Sequence, residues 1–92
     1  MKENKIPMFE KTVVWLWDES IAEAAKLPVN NLYILDSDGV QIWNMHDTLK
    51  RDDICVGLRA VGDSRIKFTT FSSSCIEFDV DTLSVISRMF VK

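Results

Sequence analysis

Residues 54–80 decide the fold. They read Ile54-Cys55-Val56-Gly57-Leu58-Arg59-Ala60-Val61, then Gly62-Asp63-Ser64, then Arg65-Ile66-Lys67-Phe68-Thr69-Thr70-Phe71, then Ser72-Ser73-Ser74, then Cys75-Ile76-Glu77-Phe78-Asp79-Val80. Short runs of β-forming residues alternate with small polar turn formers, the pattern of an antiparallel meander. With a three-residue loop at each break, Ala60, Ile66 and Val80 fall in one cross-strand row. Leu58, Phe68 and Phe78 form the next, and Val56, Thr70 and Ile76 the third. All three rows share a face. The opposite face receives Arg59, Lys67 and Asp79 in a row, with Arg65 across from Asp81. One apolar and one charged face is what a half-buried sheet requires, and a one-residue slip would destroy the match.

Upstream, Leu32-Tyr33-Ile34-Leu35, Asp36-Ser37-Asp38-Gly39 and Val40-Gln41-Ile42-Trp43 read as a hairpin, with Gly39 supplying a positive φ. The spacing does not fit a calcium loop, because Ile34 and Met45 would occupy its first and last ligand positions. Residues 44–49 read as a helical turn with Asn44 as N-cap. Residues 9–17 are dense in β-branched and aromatic side chains and predict a strand, with Phe9, Val13, Trp15 and Trp17 on one parity. Ser20-Ile21-Ala22-Glu23 is a capping-box pattern, predicting a short helix that Pro28 stops near Lys26. Residues 84–91 read as a final edge strand with two competing parities, one placing Val85, Met89 and Val91 inward and the other Ile86 and Phe90.

The expected fold is therefore mainly β within one domain spanning 1–92. It is a curved antiparallel β-meander of about six or seven strands, with one short helix near the N-terminus. The 92-residue length leaves no room for a second core, and 47% hydrophobic content with a net charge of −3 excludes a disordered chain. No apolar run reaches the roughly 18–20 residues of a membrane span, and no signal-peptide pattern is present, so a cytoplasmic location with reduced thiols is expected. Cys55 and Cys75 sit two strands apart. At about 4.8 Å per interstrand step, this exceeds the ~7 Å limit for a disulfide.

Catalytic chemistry finds little support in the residues. His46 is the single histidine, the glycines are isolated, and the serine run lacks a nucleophile-elbow context. Asp52-Asp53 reads as a pair of solvated acids. No metal or other cofactor is expected. Charge is unevenly placed: residues 31–63 carry a net −3, against −1 for 1–30 and +1 for 64–92. Such an acidic middle suits a basic protein partner.

The stretch from Asn31 through Asp36-Ser37-Asp38-Gly39 to Trp43-Asn44 resembles the opening of small bacterial immunity proteins of polymorphic and contact-dependent growth inhibition toxin systems. Residues 65–71, 75–82 and 87–92 are similar to their closing strands. One departure is Leu83, which stands where those proteins often carry Gly. The resemblance implies a non-enzymatic protein that binds and inhibits a cognate toxin domain, such as a nuclease; the acidic balance and the lack of a long apolar run point away from direct binding to nucleic acid or membrane. By charge and aromatic character, the expected partner-binding residues are Asp36, Asp38, Asp47, Asp52 and Asp53, with Trp43 as anchor. The alternatives are a small-molecule or peptide-binding β module using its tryptophans, and a non-catalytic subunit that adds an edge strand to another sheet.

Overall fold

The computed structural model describes residues 2–17 and 29–90. Among these residues, eight antiparallel strands form two four-stranded sheets. The first sheet holds β1 (Glu3–Met8), β2 (Lys11–Leu16), β3 (Leu32–Leu35) and β4 (Gln41–Asn44). A short helix, α1 (Met45–Leu49), leads into the second: β5 (Cys55–Ala60), β6 (Arg65–Thr70), β7 (Ser74–Asp79) and β8 (Ser84–Phe90). Each sheet is a meander in chain order. This corrects the expectation of a single meander of six or seven strands with its helix near the N-terminus. The described helix lies in mid-chain, between the sheets, and the helix expected over residues 20–26 falls outside the described residues.

The additional strand is β1. Its sequence looks polar, but it alternates: Asn4, Ile6 and Met8 turn inward while Glu3, Lys5 and Pro7 face solvent. Pro7 is tolerated because β1 is an edge strand of its sheet. The turn at Phe9-Glu10 then reverses the chain, so Phe9 is not in the strand as expected. It has φ 57 and is 81% exposed.

The second sheet tests the residue rows directly. Ala60 faces Ile66, Leu58 faces Phe68 and Arg59 faces Lys67, as expected. A bulge at Val56 then places Cys55, not Val56, opposite Thr70 and makes it a core residue. The bulge also draws Gly57 against Thr69, whose Oγ1 lies 2.6 Å from where a Cβ would stand. Between β6 and β7 the register is displaced by two residues: Ile66 faces Phe78, Phe68 faces Ile76, Lys67 faces Glu77 and Arg65 faces Asp79. An even displacement preserves the faces, so the apolar set stays buried. Its cause is the loop, which is Phe71-Ser72-Ser73 rather than the three serines. Ser73 takes φ 70, its N–H donates to Thr70 O at 3.0 Å, and the Ser74 N–H donates to Thr70 Oγ1 at 3.1 Å. In β8 a bulge at Ile86 switches parity, so Val85 shares the face of Phe78 while Arg88 and Phe90 share that of Ile76 and Ser74. Both candidate parities are thus realised in part.

The core draws on both sheets and the helix. Val13, Leu32, Ile34 and Trp43 of the first sheet meet Ile66, Phe68, Ile76 and Phe78 of the second, with Met45 and Leu49 of α1 beside them. Trp43 packs at 4.5 Å from the Phe78 ring and edge-on at 6.2 Å from Phe68. It stands opposite Ile34, next to a register shift within the β3–β4 hairpin.

A buried side-chain amide ties the sheets together. Asn31 is 1% exposed. Its Nδ2 donates to Leu16 O at 2.9 Å and to Cys55 O at 3.0 Å, and its Oδ1 accepts from the Cys55 N–H at 2.6 Å. Trp15 Nε1 donates to the same Cys55 O at 3.0 Å. Replacing Asn31 by Ala leaves the buried Cys55 N–H without an acceptor. The expected loss is on the order of 3 kcal/mol in denaturant unfolding; a loss below about 0.5 kcal/mol would show that the amide does not bind the sheets.

Candidate functional site

Four turns gather at one end of the molecule: residues 9–10, 36–40, 61–64 and 80–83. Pairing of Thr12 with Leu35 sets the first beside the second. The Val80 N–H donates to Ser64 O at 2.7 Å, joining the third to the fourth. Lys11 Nζ donates to Asp81 O at 3.1 Å and stands 3.7 Å from its carboxylate, joining the two sheets. These turns contain Glu10, Asp36, Asp38, Asp63 and Asp81 and no Lys or Arg. Exposed Phe9, Val40 and Val61 lie among the acids. Met8, Phe9, Lys11 and Val80 line a cavity of about 240 Å³ there.

Each turn has a local reason for its shape. Asp36 Oδ1 accepts from the N–H groups of Asp38 and Val40, both at 2.9 Å, while Gly39 takes φ 81. Asp79 Oδ1 does the same for Asp81 and Thr82 at 2.9 and 3.1 Å. Leu83 follows with φ 54, so the position at which Gly was expected is left-handed, and the Leu side chain packs against the core instead.

The six residues expected at a partner surface are dispersed. Asp36 and Asp38 stand at the acidic end. Asp47 and Asp52 lie beyond the other end of β4, whose four residues span about 13 Å at the usual strand rise. Asp47 completes a capping box with Asn44 on α1, and Asp52 accepts from Asn30 Nδ2 at 3.0 Å. Two of the six are not surface residues. Trp43 is 5% exposed, with Nε1 donating to Thr48 Oγ1 at 3.1 Å, so it is a core ring and not an exposed anchor. Asp53 is buried, contrary to its reading as a solvated acid. Glu10, Asp63 and Asp81 were missed because their grouping is a product of sheet pairing. The available signal was that every hairpin turn at this end carries acid and no base.

Asp53 is a structural clamp. Its carboxylate accepts from the Ile54 N–H at 2.8 Å, the Ser72 N–H at 3.4 Å, the Ser72 hydroxyl and Arg51 Nη2 at 3.3 Å. Arg51 Nη2 also reaches Ser72 and Ser74 Oγ at 3.0 and 3.1 Å. Burial pushes the Asp53 carboxyl up, but the bonds from Ser72, Ile54 and Thr70 together outweigh burial and hold it below its ordinary value. His46, the single histidine of the chain, is exposed on α1. Among the described residues no group of three His, Cys, Asp or Glu side chains is placed to hold a metal ion, and no helix is long and apolar enough to cross a membrane.

Cys55 and Cys75 are both free thiols, separated by β6 and on opposite faces of the sheet, since Cys55 faces buried Thr70 and Cys75 faces Thr69. Burial, offset in part by a bond to Gly57 O and reinforced by the Asp53 charge, pushes the Cys55 thiol up to about 12. Trp15 and Trp17 stack on each other at 5.2 Å.

A scan against family models finds no match to this chain, and searches of curated proteins and of solved structures find none either.

Two measurements follow from the buried groups. Because the folded Asp53 carboxyl lies below its ordinary 3.8, its contribution to stability is complete above that value and is lost as pH falls through the folded value. Asp53→Asn is expected to cost about 2–3 kcal/mol at neutral pH and to flatten the fall in unfolding free energy below about pH 4. An unchanged acid profile would assign that fall to other carboxylates. Iodoacetamide at pH 8 is expected to add one label to the native protein, at Cys75, and two after denaturation; native labelling at Cys55 would contradict its burial.

Proposed function

We propose that this protein is a cytoplasmic immunity protein that binds and neutralises a cognate toxin domain and has no catalytic activity of its own. The observation that carries this reading is the acidic end, where four turns contribute five carboxylates, of which Asp81 is paired with Lys11, around exposed Phe9, Val40 and Val61. A toxin that acts on nucleic acid needs a basic substrate-binding surface. An acidic inhibitor can steer onto that surface and cover it, with the apolar residues supplying contact area once the charges have aligned the pair. The resemblance of the 31–44 and 65–92 stretches to immunity proteins supports the same reading. The small-molecule alternative loses its main support, because Trp43 is in the core and Trp15 and Trp17 pack on each other.

The deciding experiment is co-expression with the protein encoded by the neighbouring reading frame. Protection of the host and recovery of a one-to-one complex are expected. Combined Glu10→Gln, Asp38→Asn and Asp63→Asn substitutions should lower the association rate at least tenfold at low salt and weaken its salt dependence, with little effect on folding. Growth arrest on co-expression, with no complex recovered, would refute the proposal.

A further inference from the structure

Strand β8 is exposed at every one of its seven residues. It is the outer strand of its sheet, bonded to β7 on one side only. Its other side presents a row of backbone N–H and C=O groups without a strand among the described residues. Such a row recognises one kind of ligand, another extended chain. The side chains add apolar area on both faces, with Met89 61% and Phe90 73% exposed.

We infer that β8 is a strand-addition site for an extended segment of a partner protein that carries a carboxylate facing Arg88. The choice of occupant rests on charge. Arg88 is the sole charged residue in β8, and its guanidinium lies 6.0 Å over the Phe90 ring, on the same face. No carboxylate stands within 4 Å of it among the described residues. A second copy of β8 brings no acid. Paired antiparallel about Ser87, each copy's Arg88 would stand opposite Ile86 of the other and meet no carboxylate. A foreign strand with an acid at the matching position and apolar residues beside Val85 and Phe90 meets both the backbone and the side chains. The site lies on a different surface from the acidic turns and does not depend on the toxin-neutralising reading.

The test uses the whole protein and a synthetic heptapeptide of alternating Thr and Val with a central Glu, followed by two-dimensional amide NMR. Shift changes confined to β8 and its β7 neighbours are expected. Binding should be at least fivefold tighter than for the same peptide with a central Lys, and should be lost when alternate peptide amides are N-methylated. Arg88→Glu should reverse the Glu-over-Lys preference and Arg88→Gln should abolish it. Arg88 is exposed, so both variants should retain the wild-type spectrum elsewhere. Shifts mapping away from β8, indifference to N-methylation, or an unchanged preference in both variants would overturn the proposal. So would sedimentation showing a dimer of the protein held through β8.

Discussion

The contact on which the two sheets depend is the side-chain amide of Asn31. Strand β5 lies at the edge of its sheet, and the N–H and C=O of the fully buried Cys55 are turned toward Asn31 rather than toward a neighbouring strand. A buried peptide group without partners costs free energy comparable to a lost hydrogen bond, so something must substitute for a neighbouring strand. A carboxamide is the one side chain with the same donor and acceptor pair as a peptide. Asn31 bonds both Cys55 groups and reaches Leu16 O at the end of β2. It thereby joins three strands from two sheets without adding a ninth. Leu, of similar size, would fill the space and leave the Cys55 N–H orphaned.

Two further ties depend on this placement. Trp15 Nε1 donates to the same Cys55 carbonyl, which fixes the indole at the join. The backbone next to Asn31 continues the link, with the Asn30 N–H donating to Asp53 O at 2.7 Å. Asp53 in turn gathers the 71–73 turn through Ser72 and Arg51, and the Phe71 N–H donates to Ile54 O at 2.8 Å. A charged clamp of this kind sets a loop conformation, and here the loop conformation sets the β6–β7 register. The apparent surface pair Asp52-Asp53 is thus one exposed acid and one buried one, with different work to do.

Much of the second sheet was legible in the residues because burial alternates with period two and the cross-strand rows constrain one another. That constraint fixes which face is apolar, and it is blind to a displacement of two. The distinction between a Ser72-Ser73-Ser74 loop and a Phe71-Ser72-Ser73 loop is made by Thr70 and Asp53 hydrogen bonds, which no hydrophobic pattern encodes. Bulges at Val56 and Ile86 defeat period-two reasoning in the same way, by inserting one residue. Strand β1 was hidden because its outward residues are Glu3, Lys5 and Pro7 and its inward set includes Asn4. The split into two sheets was hidden because α1 is only five residues long, so the change of sheet takes little more sequence than a long hairpin loop. Residue type alone pointed to Trp43 as an anchor, yet a large ring opposite Ile34 at the centre of a small two-sheet protein is where Phe68 and Phe78 need a partner.

The acidic turns and β8 are separate surfaces, but they are contiguous through residues 80–83, where Asp79 caps a turn that ends in Leu83 and opens directly into Ser84. Under the two proposals, charge at the turns would act over several ångströms and set how fast a basic partner arrives, whereas the open backbone of β8 would act only at contact and set how long an extended segment stays. A partner with a basic patch flanked by an acid-bearing strand would engage both. Leu83 is the residue that joins the turn to β8. Its left-handed backbone is one that Gly adopts without cost, but the Leu side chain packs against the core and so fixes the angle at which β8 leaves the turn. Substituting Gly there would relieve the backbone and release that constraint, loosening the connection between the two surfaces while leaving each of them chemically intact.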